Sequence, residues 1–337
     1  DVVQFAVDRG YYKPDSSRPF SYRDAYHPDH GPSARRACAG RVWSVYRRSA
    51  PSANFSDAWF RGADGCEDYP LFIKPDRPLG VTLMDQPIAL FRTSAGPAAL
   101  IDRCPHRNVP LSSGKVCGDA LTCPYHGWSF DASGRCVAVP GVRGETGAPA
   151  KRVAVMCNFG LIWANLADEP LPFPSLPAEI GDTALDRFWW PLAPRAARAL
   201  DALENHLDPM HPHFLHPRLV RGAGKRLAVP VTVCSTPWGG EARYAEEHLP
   251  QTLLPRIIEG KRIESRGLYF APLTGQVAFE NSSGLTIAIS VVFSPVSDGV
   301  TRPYAHFATP RRTMPAWLKR LLIIAFHKPV LAQDAAM

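Results

Sequence analysis

Two short segments carry residues suited to metal chemistry: Cys104-Pro105-His106 and Cys123-Pro124-Tyr125-His126-Gly127-Trp128. Each offers one thiolate and one imidazole, spaced as Cys-x-His and Cys-x2-His. A [2Fe–2S] rhomb takes four protein ligands. Two short loops of this kind can clamp it from both sides, with the cysteines on one iron and the histidines on the other. Pro105 and Pro124 fix φ and stiffen the loops, and Gly127 lets the backbone pass close to the cluster or its histidine ligand. Imidazoles in place of two thiolates leave such a cluster less negative and easier to reduce. Two cysteines and two histidines are also a zinc set, but zinc motifs usually join a Cys–Cys pair to a His–His pair, and each pair here is mixed.

With these four ligands in their Pro-Tyr-His-Gly-Trp context, the chain resembles a Rieske protein. Respiratory Rieske proteins carry a further disulfide between the two cluster loops. Its cysteines would fall near Val109 and Tyr125, and neither is Cys. Cys117 and Cys136 flank the second loop at other positions and read as ordinary small buried side chains. The resemblance is therefore to the reducing-compartment type, found in oxygenases and their ferredoxins.

A second constellation decides between those two. The segment Glu204-Asn205-His206-Leu207-Asp208-Pro209-Met210-His211-Pro212-His213-Phe214-Leu215-His216 packs four histidines beside two acids. It resembles the mononuclear iron motif of the Rieske non-haem iron oxygenases, which hold Fe(II) by two histidines and a carboxylate and leave positions open for O2. The resemblance makes His211 and His216 the imidazole ligands. It makes Asp208 a bridging carboxylate that holds one of those histidines. His206 and His213 stay as rival ligands, and Glu204 and Asn205 are near enough to shape the pocket or to lie on a helix surface. At about 100° per residue Asp208 and His211 share a helix face, whereas His211 and His216 stand about 140° apart. A shared ion requires the helix to distort or end between them, and Pro209, Pro212 and Pro217 supply the cause. In the family the third ligand comes from a C-terminal helix, which matches Asp334, in Gln333-Asp334 after the apolar stretch 321–326. Asp298, in Ser297-Asp298-Gly299, reads as a hairpin turn instead. The chain stops three residues after Asp334, where the family usually continues the helix, so this helix is short or the sequence is a fragment.

These residues need a scaffold, and 337 residues suffice for two domains with a sizeable core. Hydrophobic residues at 45% and charged residues at 20% suit a soluble globular protein. A net charge of +7 invites a nucleic-acid reading, but there is no lysine-rich run and no nucleic-acid motif. A basic surface would suit an acidic ferredoxin. Of the eight cysteines, two are taken by the cluster. The others show no framework spacing and read as free thiols in a cytoplasmic protein. No apolar run reaches the roughly 18 residues of a membrane span, and the start shows no signal-peptide pattern.

Residues 1–52 have no apolar period and read as an extension of unclear order, or one that packs on a neighbour. Residues 53–168 form the Rieske domain. Runs at 79–83, 88–92, 98–102 and 120–122, a hairpin at 129–139 and a closing strand at 159–164 predict antiparallel β structure. Tyr125 and Trp128 are expected to pack on the cluster loop. A proline-rich connector then opens the catalytic domain, 169–337. Runs at 229–233, 276–279 and 285–293, the first at an edge because of Pro230, with later strands at 293–296 and 304–308, predict an antiparallel sheet with helices on one face. The fold class is α+β, with Trp189 and Trp190 in the core and the 318–326 helix packed over the active site.

The resemblance implies the terminal, alpha-type oxygenase component, nearest to oxidative demethylases, steroid hydroxylases and pheophorbide-type oxygenases. Its cofactors would be one [2Fe–2S] cluster and one mononuclear Fe(II), with O2 as co-substrate. Electrons would come from NAD(P)H through a reductase or ferredoxin, and the substrate would be a small hydrophobic or aromatic molecule. It further implies a homotrimer in which His126 of one chain faces Asp208 of the next. Two rivals are a Rieske electron carrier with an appended ligand-binding domain and a zinc-stapled binding protein without redox chemistry.

Overall fold

Short runs of branched and aromatic residues between turn formers become paired strands throughout the described residues. In this computed structural model those are 44–46, 73–143, 147–169, 172–217, 219–220, 229–245, 262–311 and 314–334. The expected extension 1–52 lies outside them except for one strand. The described residues divide into two units, one within Pro28–Phe173 and Ser294–Arg302, the other within Pro174–Phe293 and Pro303–Met337.

The first unit is built from two antiparallel sheets. β1 (Ser44–Tyr46), β2 (Leu79–Leu83), β3 (Gln86–Thr93) and β4 (Gly96–Ile101) precede a small sheet of β5 (Lys115–Cys117), β6 (Ala120–Thr122), β7 (Ser129–Phe130) and β8 (Cys136–Ala138). β9 (Arg152–Asn158) and β10 (Leu161–Asn165) return to the first sheet, whose order is β1-β10-β9-β4-β3-β2. The small sheet runs β5-β6-β7-β8. One metal-ligand loop leaves β4, and the other joins β6 to β7. Phe91, Leu100, Leu111, Leu121 and Phe130 form a core that takes in the Cys104 and Cys123 side chains. Each such fully buried side chain contributes about 1.5–3 kcal/mol. The loops therefore start from a packed base and end in solvent.

Among its described residues the second unit carries a seven-stranded antiparallel sheet and three α-helices. β11 (Leu185–Pro191) is followed by α1 (Ala199–Leu207) and the single-turn α2 (Pro212–Leu215). Then come β12 (Val231–Thr236), β13 (Gly239–Ala245), β14 (Glu264–Phe270), β15 (Thr274–Asn281), β16 (Gly284–Ser297), β17 (Val300–Pro310) and α3 (Ala316–Asp334). The sheet order is β11-β17-β16-β15-β14-β13-β12, so β12 is at an edge, as Pro230 requires. Asp298 lies in the turn between β16 and β17. Leu203 of α1 and Ile323 of α3 share one core with Ile287, Val291, Phe293 and Phe307, which seats both helices on one face of the sheet. Trp190 packs on that core, and Trp189 stacks edge-on to His306 at 4.8 Å.

Close packing fixes α1 at one point in particular. A Cβ on Gly275 of β15 would meet Leu203 Cδ1 at 2.7 Å and His206 Cδ2 at 3.0 Å. Helix α3 is held at both ends. Lys319 Nζ donates to Asp186 Oδ2 and to the Pro310 carbonyl, both at 2.6 Å, and Arg195 Nη2 donates to the Leu331 carbonyl at 2.9 Å. The last contact bears directly on the helical turn that ends at Asp334.

Two cysteine expectations need correction. Cys157 is disulfide-bonded, so the cysteines beyond the cluster pair are not all free thiols. Cys117 is exposed rather than buried, because it faces outward from the small sheet, while Cys136 is buried as expected. Among the described residues no helix is long and apolar enough to cross a membrane.

Candidate metal centres and the adjoining cavity

The two ligand loops of the first unit share one backbone design. In the first, Cys104 N–H donates to the Val109 carbonyl (2.9 Å) and Asn108 N–H to the Cys104 carbonyl (2.8 Å). In the second, Cys123 N–H donates to the Trp128 carbonyl (2.8 Å) and Gly127 N–H to the Cys123 carbonyl (3.2 Å). The closing residue of each has positive φ, +56° at Asn108 and +71° at Gly127. Asparagine and glycine are the residues that tolerate this conformation. Asn108 is a structural residue that motif reading missed.

These loops sort the ligands by depth. The Cys104 and Cys123 thiols are buried and within hydrogen-bonding reach of each other. Burial raises the Cys104 thiol, with Cys123 adding to the rise and the amide of His106 opposing it. His106 and His126 lie at the surface with ring centroids 4.7 Å apart. Trp128 stacks on His106 at 4.8 Å and 6°, and the exposed Tyr125 ring sits 3.9 Å from His126. A pair of sulfurs below and a pair of imidazoles above suit a group with two metal atoms.

Gly127 admits a direct test. A Cβ there would sit 2.9 Å from Pro140 Cγ on a backbone at φ +71°, and the φ alone costs about 1–2 kcal/mol. Gly127→Ala is expected to lower the melting temperature and the visible absorbance per chain. Wild-type values of both would refute this account of the loop.

The second unit holds the other ligand set. α1 ends at Leu207, and Asp208 turns the chain: its carboxylate accepts the Met210 N–H (2.7 Å) and the His211 N–H (3.2 Å). Proline at the start of α2 begins a new short helix, and His211 and His216 flank it. The break brings their rings to 5.4 Å, nearly perpendicular, where a continuous helix would have splayed them. His211, His216 and Asp334 offer one ligand atom each, all within 4.8 Å of one another, the one such set among the described residues.

Hydrogen bonds fix which nitrogens are free. His211 Nδ1 lies 2.9 Å from the Asp208 carbonyl, which can only accept, so the proton is on Nδ1 and the lone pair on Nε2. The expectation that the Asp208 side chain holds this ring is corrected: its carboxylate is 3.8 Å from Nδ1 and is occupied by backbone amides. His216 Nδ1 donates to Gln333 Oε1 at 2.8 Å, so its Nε2 also carries a lone pair. That Nε2 stands 3.0 Å from Asp334 Oδ1, and both atoms are buried without a hydrogen-bond partner. Two acceptors facing each other in a buried site repel, and a cation between them removes the conflict. The donor set, two imidazoles and a carboxylate, fits a non-haem Fe(II) site. Gln333 had no separate signal in the sequence beyond its place next to Asp334.

The remaining candidates fall elsewhere. Glu204 and Asn205 are exposed and lie outside the cavity beside the trio, because α1 turns His206 and Leu207 toward it instead. His206 is half-buried beside Gly275 and outside the ligand trio, and desolvation of its ring lowers it to about 4. His213 sits on α2, also outside the trio. A cavity of about 170 Å3 adjoins the trio. Its walls are mainly apolar, from Val277, Phe279, Ile287, Ile289, Ile323 and Phe326, with His327 from α3 and Arg262 and Arg266 near β14. Arg262 lies 3.6 Å over the Phe279 ring, and Arg266 pairs with Glu280 at 2.7 Å.

Comparison with known proteins gives a consistent pattern. Residues 68–155 match the Rieske [2Fe-2S] domain family. The chain is 28% identical over 268 residues to methylxanthine N1-demethylase NdmA of Pseudomonas putida, covering 76% of this chain and 72% of the relative. It is 40% identical over 132 residues to the 4beta-methylsterol monooxygenase of Methylococcus capsulatus, covering 36% and 34%. The aligned stretch thus spans only about a third of that relative. The solved structure of Pseudomonas putida CBB5 NdmA with caffeine matches with a TM-score of 0.67 over 89% of this chain and 82% of that one, at 23% identity. Dicamba monooxygenase bound to dicamba matches with a TM-score of 0.64 over 80% and 78%, at 20% identity. At those identities the two structures speak to the fold.

Proposed function

The chain belongs to the Rieske non-haem iron oxygenases, and from that premise we propose that it is a terminal oxygenase component which oxidises a small apolar molecule by hydroxylation or oxidative demethylation. The observation that carries the reading is the buried pair His216 Nε2 and Asp334 Oδ1 at 3.0 Å, neither with a hydrogen-bond partner, next to a largely apolar cavity. The names of the relatives, demethylases among them, favour the same reaction class.

When bound, a cluster in the first unit would supply single electrons and Fe(II) in the second would activate O2. Cys104 and Cys123 would hold the inner iron of the cluster, and His106 and His126 the outer one. His211 and His216 each donate through Nδ1 and would present Nε2 to the metal. Asp334 contributes the charge, and Gln333 and the Asp208 carbonyl orient the two rings. Asp208 also brings a carboxylate beside His211, the kind of partner that tunes ligand histidines. The apolar walls keep water from the bound substrate. Reductase or ferredoxin partners, and a trimer in which His126 of one copy faces Asp208 of the next, belong to this reading through the family resemblance.

The test is metal analysis with turnover. Purified protein is expected to contain about three irons and about two labile sulfides per chain. It should give the EPR signal of a reduced Rieske cluster and consume O2 with a reductase, NADH and a methoxylated or N-methylated aromatic. Formaldehyde release would mark demethylation. About two irons and no O2 uptake would favour the electron-carrier alternative.

A further inference from the structure

Helix α3 brings more than Asp334 to the cavity. Two turns earlier it presents His327, which lines the cavity and has no part in the ligand trio. The Phe307 and Phe326 rings meet it edge-on, each at 5.0 Å. Its Nδ1 lies 2.8 Å from the Ile323 carbonyl of the preceding turn. A carbonyl only accepts, so the ring proton is committed to Nδ1 and the nitrogen left for a ligand is Nε2. Burial lowers the ring to about 4, so it is uncharged at neutral pH and Nε2 is an acceptor. Ile287, Ile289, Ile323 and Phe326 of the same cavity have no side-chain donor, and His206, the other imidazole that lines it apart from the ligand pair, has its Nε2 without a hydrogen-bond partner.

Resting on the oxygenase reading and sharpening it, we infer that His327 is a specificity-determining residue that selects apolar substrates bearing one hydrogen-bond donor, a hydroxyl or an N–H. A ligand without a donor would bury the Nε2 lone pair unpaired, and a site built to hydrogen-bond a substrate group discriminates against the analogue lacking it. An apolar pocket alone discriminates weakly between groups of equal size.

The probes are 2-naphthol and the near-isosteric 2-methylnaphthalene, titrated anaerobically into the metal-loaded full chain by calorimetry. The wild type should bind 2-naphthol about tenfold more tightly. His327→Phe should remove that preference by weakening 2-naphthol alone. His327→Gln, whose amide oxygen accepts, should restore much of it. The inference fails if the wild type shows no preference, if His327→Phe keeps it, or if neither probe binds. Iron content and the cluster EPR signal are read on the same samples. Loss of the third iron in the wild type would count against the oxygenase reading, whereas the affinity ratio needs no turnover and speaks only to His327.

Discussion

His216→Ala protein is expected to carry about two irons per chain instead of about three and to keep its cluster EPR signal. It should oxidise substrate at least about a thousandfold more slowly, since losing a mere ligand partner already costs about 10–100-fold. The size of the effect follows from position. His216 is 1% exposed, its Nδ1 is fixed by Gln333, and its Nε2 stands 3.0 Å from Asp334 Oδ1. Alanine removes one of three donors and leaves the Asp334 and Gln333 oxygens facing an empty space. Iron analysis and EPR on the variant check this. Retention of the third iron would remove His216 from the ligand set.

Asp208→Asn should behave differently, leaving both metals bound while turnover falls by about 10–100-fold. The carboxylate accepts two backbone amides, and an amide oxygen can keep the stronger of them, at Met210. The turn between α1 and α2 therefore survives. The His211 Nδ1–H still donates to the Asp208 carbonyl, which the substitution does not touch. What disappears is one negative charge beside His211. Burial lowers that ring below its ordinary value, and the charges of Asp334 and Asp208 oppose the shift. Single-turnover rates with the cluster reduced in advance would report the loss. A wild-type rate would mean that the Asp208 charge has no role.

The two centres differ in how far the sequence disclosed them. The cluster loops were legible because their ligands lie within a few residues of each other and their spacing is itself the geometry. Even there Asn108 escaped notice, since its role is a backbone angle. His211 and His216 were legible as a dense group with prolines between them, and the helix break at α2 is what those prolines require. Asp334 could be matched only through resemblance, because nothing local links it to a residue more than a hundred positions away. Gln333 and His327 act through a single hydrogen bond each, which composition does not record. Glu204 and Asn205 depended on the phase of α1, and packing against Gly275 sets that phase. Strands β13 and β14 were not foreseen. Their sequences, Gly-Gly-Glu-Ala-Arg-Tyr-Ala and Glu-Ser-Arg-Gly-Leu-Tyr-Phe, put charge and glycine where apolar alternation is the usual signal.

The bond from His216 to Gln333 joins residues 117 apart. An ion held by His216 and Asp334 would close a loop of the same size, one that contains almost the whole seven-stranded sheet. Loop-closure entropy grows only slowly with length, yet a ring this large still removes several units of RT from the unfolded chain. Any ligand that binds only the native state also shifts the folding equilibrium by mass action. A metal bound there would thus be a cross-link as well as a reactant, and the end of α3 would have its firmness tied to occupancy of the site. Depleting iron would then loosen the wall that carries His327, which would couple metal supply to the proposed substrate discrimination.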